Sequence, residues 1–258
     1  MQNFSVATQV LEQWGAKVTP IKTSEKKETD WLAEFGPYQL LIEEKIKFED
    51  PEVKQDRVAR LNKYEVHGTT QSLSHNNRIS GIIGTAVRQL ASTGSAIQHN
   101  HRIIWFTGLD FDAEAKHYQF ISTLYGSTRV FELNKPKGKE CYFFRNSDFF
   151  RYQNHIDGAV AGFLVGDELT IKLCLNPYSP GWQTLRDSPF AANFKVGLID
   201  PVAEESAGKA YIADTELPRS STSAVIRYLE EKYGLDQVFN IDMSLASAVV
   251  SIPRNTQA

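Results

Sequence analysis

The stretch Asp30-Trp-Leu-Ala-Glu-Phe-Gly-Pro-Tyr-Gln-Leu-Leu-Ile-Glu-Glu-Lys45 decides how this chain is read. An acid stands at its start and a Gly36-Pro37 pair in its middle; the apolar run Leu40-Leu41-Ile42 then passes into Glu43-Glu44-Lys45. A Gly-Pro pair between two runs of strand-type residues predicts a hairpin, one strand over 30–35 and its partner over 38–48. Side chains at i and i+2 of a strand leave the same face, so Glu43 and Lys45 project together beside whatever the turn brings back. If that is Asp30, two carboxylates and an ammonium converge on one sheet edge, a donor set suited to a divalent cation. Charges placed in a strand with a buried apolar run are costly unless they serve a purpose. The plain alternative is a solvated Glu/Lys pair, worth little to stability.

Working outward, residues 5–15 read as a short amphipathic helix through Val6, Val10, Leu11 and Trp14, closed by Gly15. Glu12 lies on it and is a candidate additional acid if the helix packs beside the sheet. Residues 17–29 are polar and lysine-rich, with Val18 and Ile21 allowing a brief strand. Residues 49–77 are charged and polar and read as a long connection, of the kind that is functional or mobile. Ile79, Ile82, Ile83, Ala86, Val87 and Leu90 predict a helix over 74–93, capped by Ser74 and ended by Gly94, with Arg78, Arg88 and Gln89 off the apolar stripe.

A buried strand over 102–108, a helix over 112–125 and a strand over 129–133 follow. The pattern is that of an α/β core with a mixed central sheet. The basic turn Asn134-Lys-Pro-Lys-Gly-Lys139 marks the best boundary, dividing a core of 1–133 from a C-terminal α+β extension of 134–258 that packs on it as one unit. In that extension, strands are expected over 141–144 and 168–175. A mixed segment over 149–164 has a helix after Asp148, and residues 176–200 read as ordered irregular structure. A helix over 222–233 ends at Gly234, and the tail frays from Pro253.

Composition bounds the function. The 258 residues carry a net charge of −3 and 41% apolar side chains, an ordinary globular balance that argues against a strongly basic nucleic-acid surface but not against local basic patches. Two cysteines, neither in a CxxC spacing, exclude a cysteine zinc site and point to a reducing, cytoplasmic setting. No run approaches the ~18 apolar residues of a membrane helix, and the first residues lack the basic start and apolar stretch of a signal peptide. Neither a P-loop nor a GxSxG motif is present. His99-x-His101 supplies two nitrogens, too few to close a metal site. The aromatic group Tyr142, Phe143, Phe144, Phe149, Phe150 and Tyr152, interleaved with Arg145 and Arg151, suits base stacking or, more plainly, a core.

Asp30 followed by Leu41-Ile42-Glu43-Glu44-Lys45 on the strand after the turn resembles the PD-(D/E)xK, restriction-endonuclease-like nuclease superfamily. Thr29 stands where that family usually has proline, and Glu28 and Glu34 are neighbouring alternatives for the first acid. The resemblance covers about the first half of the chain and implies an αβββαβ core. It also implies that Asp30 and Glu43 bind Mg²⁺, or Mn²⁺, and that Lys45 is the catalytic lysine. Gln89 resembles the helix glutamine that some members point into the site. By the same resemblance the activity is hydrolysis of phosphodiesters, in DNA rather than RNA. Arg78 and Arg88 on the helix are candidate nucleic-acid contacts, and a homodimer is left open. The alternative is a catalytically inactive nucleic-acid-binding or protein-interaction module on the same fold.

Overall fold

A ten-residue strand, Tyr38–Lys47, sends its side chains alternately into two cores. The structure, a computed structural model, describes residues 5–21, 28–133, 135–241 and 244–252. The expectations for the start of the chain, for most of the lysine-rich stretch (22–27), and for the tail from Pro253 therefore lie outside the described residues.

Among the described residues the elements run α1 (Val6–Gln13), β1 (Lys17–Pro20), β2 (Trp31–Phe35), β3 (Tyr38–Lys47), α2 (Pro51–Asn62), β4 (His67–Ser72), α3 (Asn77–Gly94), β5 (His101–Gly108), α4 (Ala113–Tyr125) and β6 (Thr128–Glu132). They continue through β7 (Lys139–Tyr142), α5 (Asp148–Arg151), β8 (Gly158–Val165), β9 (Glu168–Leu175), α6 (Trp182–Arg186), β10 (Leu198–Ile199), α7 (Pro201–Ser206), β11 (Ala210–Ile212), α8 (Thr222–Tyr233), β12 (Val238–Ile241) and β13 (Leu245–Val250). The protein is mixed α/β. Its large sheet has seven strands in the order β1-β2-β3-β5-β8-β9-β10. β1, β2 and β3 are antiparallel, β3-β5-β8 are parallel, and β9 returns antiparallel to β8.

The hairpin forms as the Gly-Pro pair predicts. Phe35 pairs with Tyr38 across a two-residue loop, and Gly36 takes φ +59°, which only glycine adopts freely. On one face of the sheet Leu41, Ile104 and Phe106 pack under α3 and α4 with Ile83, Val87, Leu90 and Phe120. On the other, Leu40, Ile42, Ile103 and Trp105 pack under α1 and the aromatic segment of Phe190 and Phe194. A second sheet, β11-β7-β6-β12, is covered by α8 through Val225 and Leu229.

Several expectations are corrected. Residues 49–77 are not one long connection. Asp50 caps α2 by accepting from the Glu52 N–H, and Pro51 presets its first turn. α2 buries no residue; it is held by Arg57, which pairs with Glu49 through two bonds of 3.1 and 2.6 Å and lies over Phe111. β4 then pairs with β13 in a two-stranded ribbon. Asn76, not Ser74, caps α3, accepting from the N–H groups of Arg78 and Ile79. The mixed segment 149–164 contains β8, a central strand. The division between 133 and 134 falls inside the β6–β7 hairpin, and strands from both sides of it share both sheets.

Candidate functional site

Hairpin register brings the first acid to the strand. Trp31 lies opposite Ile42 and Leu32 opposite Leu41, which sets Asp30, one residue before β2, beside Glu43. Three bonds fix it there. The Glu44 N–H donates to Asp30 Oδ2 at 2.8 Å, the Ile21 N–H donates to the Asp30 carbonyl, and the Thr29 N–H donates to Thr93 Oγ1 of α3 at 2.8 Å. Thr29 is fully buried where proline would have no N–H to give.

Glu43 is also fully buried. Lys45 Nζ pairs with Glu43 Oε1 and donates to Gln89 Oε1 at 3.1 Å, while Gln89 Nε2 donates to the Glu28 carbonyl at 3.2 Å. The glutamine thus ties the lysine to the segment that carries the acid. Glu43 Oε2 has no hydrogen-bond partner among the described residues. Burial, followed by the negative charge of Asp30, pushes the Glu43 carboxyl up to about 7 despite Lys45. Burial also raises Asp30, against the Glu44 N–H and Lys45, which lower it. Two carboxyls that resist ionising side by side share a common need for positive charge.

Among the described residues no group of three or more His, Cys, Asp or Glu side chains is arranged to hold a metal ion. Asp30 and Glu43 supply two carboxylates. That set fits Mg²⁺, which is held by one or two carboxylates with waters and substrate phosphates completing its shell. The unpartnered Glu43 Oε2 is the observation that favours the fit, because a buried carboxylate oxygen without a partner is costly.

Glu44, adjacent in sequence, does something else. It leaves the opposite face and accepts from Ser5 Oγ at 2.5 Å, from the Ala7 N–H at 2.9 Å and from Trp31 Nε1 at 3.3 Å. It anchors the start of α1, a role visible only once α1 is docked. Glu12 is corrected for the same reason: α1 packs on the Ile42 face of the sheet, away from Glu43, and Glu12 is exposed on it. Glu34 forms an ion pair with Lys17 near the hairpin turn and plays no part in the site.

Arg78, Ile82, Thr85 and Gln89 recur at i, i+4, i+7 and i+11 and form one flank of α3. That flank borders a cavity of about 580 Å³ beyond the end of β3, lined by Lys47, Asp50, Arg78, Ile82, Phe106 and Lys116 among others. Arg78 and Lys47 are exposed there and have no ion-pair partner among the described residues. Arg88 lies elsewhere, beside Gly84 and the Tyr152 hydroxyl on another flank, with its guanidinium donating to Thr85 Oγ1. His101 is buried at the start of β5, stacked on Tyr38, and His99 bonds the Ile97 carbonyl, so the pair makes no metal site. Tyr142, Phe143, Phe144 and Phe149 are buried in the core.

Comparison of the chain with protein-family models, with curated proteins and with solved structures finds no match. No helix among the described residues is long and apolar enough to cross a membrane.

Proposed function

We propose that the protein is a metal-dependent nuclease that hydrolyses phosphodiester bonds, with DNA as the expected substrate. The observation that carries this reading is the convergence of Asp30, buried Glu43, Lys45 and Gln89 on one face of the sheet. The order α1, β1-β2-β3, α3, β5 supports a restriction-endonuclease-like core, with α2 and β4 inserted between β3 and α3.

Asp30 and Glu43 would hold Mg²⁺ or Mn²⁺, which when bound supplies charge neutralisation at the phosphate and an acidified water. The chain's own residues supply the rest. Lys45 is 23% exposed, so its ammonium reaches the solvent side of the site while Glu43 and Gln89 fix its direction. From there it orients the attacking water and donates to the phosphoryl oxygen on which negative charge develops. Lys47 and Arg78, further along the same side, take the neighbouring backbone phosphates.

The test is cleavage of supercoiled and linear DNA, and of RNA, with Mg²⁺ or Mn²⁺. Metal-dependent cleavage is expected, abolished by chelation, with Lys45→Ala and Asp30→Asn each lowering the rate by at least ~10²-fold. Cleavage at the wild-type rate by Lys45→Ala counts against the assignment. So does an inert wild type whose melting temperature is unmoved by Mg²⁺, which favours the non-catalytic binding module.

A further inference from the structure

A second cavity, also of about 580 Å³, opens on a different flank of α3. At about 100° per residue, Asn77, Ser80 and Gly84 point well away from the Gln89 stripe. Asn77 and Ser80 line this cavity with the α5 region and the loop around 215–219. Its walls bring together three chemistries that the proposed hydrolysis does not use.

The first is a buried acceptor. Asp148 is 3% exposed; its Oδ1 accepts from Ser80 Oγ at 3.1 Å, and its Oδ2 has no partner among the described residues. His75 Nδ1, on the same wall, is also without one. Burial raises the Asp148 carboxyl, while Ser80, His75 and Arg151 are near enough to oppose that. A buried carboxylate oxygen left unpaired calls for a donor. The second is aromatic surface. It comes from Phe150, which is half-buried on this wall. The third is positive charge from Arg145, Arg151 and Arg219. Arg219 donates to the carbonyls of Ala213, Thr215 and Leu217 and so keeps its loop in place.

Three guanidiniums outnumber the two carboxylates, Asp148 and Glu216, so a metal ion finds no excess of negative charge here. A bare phosphate would leave Asp148 and the ring unused. A nucleotide uses all three, and the cavity lies in the size range of small-ligand pockets. Its base stacks on aromatic surface, the N–H groups of its edge meet a carboxylate, and its phosphate meets arginine. Guanine fits best, since its N1–H and N2–H donors lie side by side: one meets the open Oδ2 of Asp148 and the other the second lone pair of Oδ1, which shares that oxygen with Ser80 Oγ.

We propose that this cavity is a nucleotide site selective for guanine, in which Asp148 reads the base edge, Phe150 stacks on the base and Arg151 binds the phosphate. The nucleotide is either free or an unstacked residue of a single strand, and the site does not depend on the hydrolytic reading.

Calorimetric titration of the full chain with 5′-GMP, 5′-UMP and a short single-stranded DNA oligomer containing one guanine tests it. Saturable binding is expected, with GMP tighter than UMP, whose base edge offers one N–H. Asp148→Asn should weaken GMP about tenfold or more and narrow the preference over UMP. Arg151→Ala, on the exposed side of α5, should weaken GMP and UMP alike. Glu43→Gln should leave GMP affinity unchanged, which separates this site from the proposed hydrolytic one. Binding of the oligomer without GMP assigns the site to a strand. The proposal is overturned if neither GMP nor the oligomer saturates, or if Asp148→Asn folds and binds GMP like the wild type. Should Asp148→Asn fail to fold, unchanged GMP affinity in Arg151→Ala overturns it instead.

Discussion

Glu43→Gln should make the protein more stable at alkaline pH and change it little at acid pH, and the size of that pH dependence follows from burial. The Glu43 carboxyl lies at about 7 rather than 4.5. At ~1.4 kcal/mol per pKa unit, keeping it ionised in the fold costs ~3 kcal/mol relative to the unfolded chain. The sign is set by which state holds the proton. Between roughly pH 4.5 and 7 the folded protein keeps a proton that the unfolded chain has released, so stability falls across that window and levels off above it. Glutamine removes the titration. The attraction of Lys45 is already contained in that raised value, and the glutamine carbonyl still accepts a hydrogen bond in its place. The variant is then more stable than wild type by about 3 kcal/mol near pH 8 and by under about 1 kcal/mol near pH 5. For a chain of this size each kcal/mol moves the melting temperature by roughly 2–4 °C. Thermal melts in chelator at the two pH values should therefore show a difference in ΔTm of roughly 5–10 °C between them. A difference under about 2 °C, on the same scale, would refute the account of Glu43 as a buried acid raised by burial and by Asp30.

Two further outcomes follow from residues outside that pair. Glu44→Ala releases the start of α1 and should cost about 1–2 kcal/mol in denaturant unfolding; cleavage should persist, and its loss at intact stability would mean Glu44 belongs to the site. Gly126→Ala places a Cβ 2.5 Å from the Arg145 carbonyl oxygen at φ +57°. It should destabilise by roughly 3 kcal/mol, and a near-neutral result would show that the α4 cap does not sit against the 145–146 backbone.

Local signals were legible in proportion to how local their physics is. A two-residue period and a Gly-Pro turn are enough to predict that Glu43 and Lys45 share a face beside whatever the turn returns; that this is Asp30 rather than Glu28 or Glu34 is set by the hairpin register. The apolar stripes of α3 and α8 and the contiguous run of β5 are equally self-contained, and α8 ends at Gly234 in the left-handed conformation that the sequence suggests. Gln89 falls opposite Lys45 because α3 crosses that face of the sheet. The signal for α2 was also present, as Asp50 ahead of Pro51, but its lack of an apolar stripe hid it.

Tertiary structure decided the rest. Which face of the sheet receives α1 depends on packing against Trp105, Phe190 and Phe194, residues far along the chain, and that choice removed Glu12 from the site and gave Glu44 an anchoring role. The ribbon of β4 and β13 joins Thr70 to Ser247 across 177 residues, and β8 enters the sheet between β5 and β9. The second cavity likewise needs α3, α5 and the 215–219 loop assembled around it. Short-range periodicity determines which side chains leave a strand or helix together; what they meet is set by long-range pairing and packing, which no local window of sequence contains.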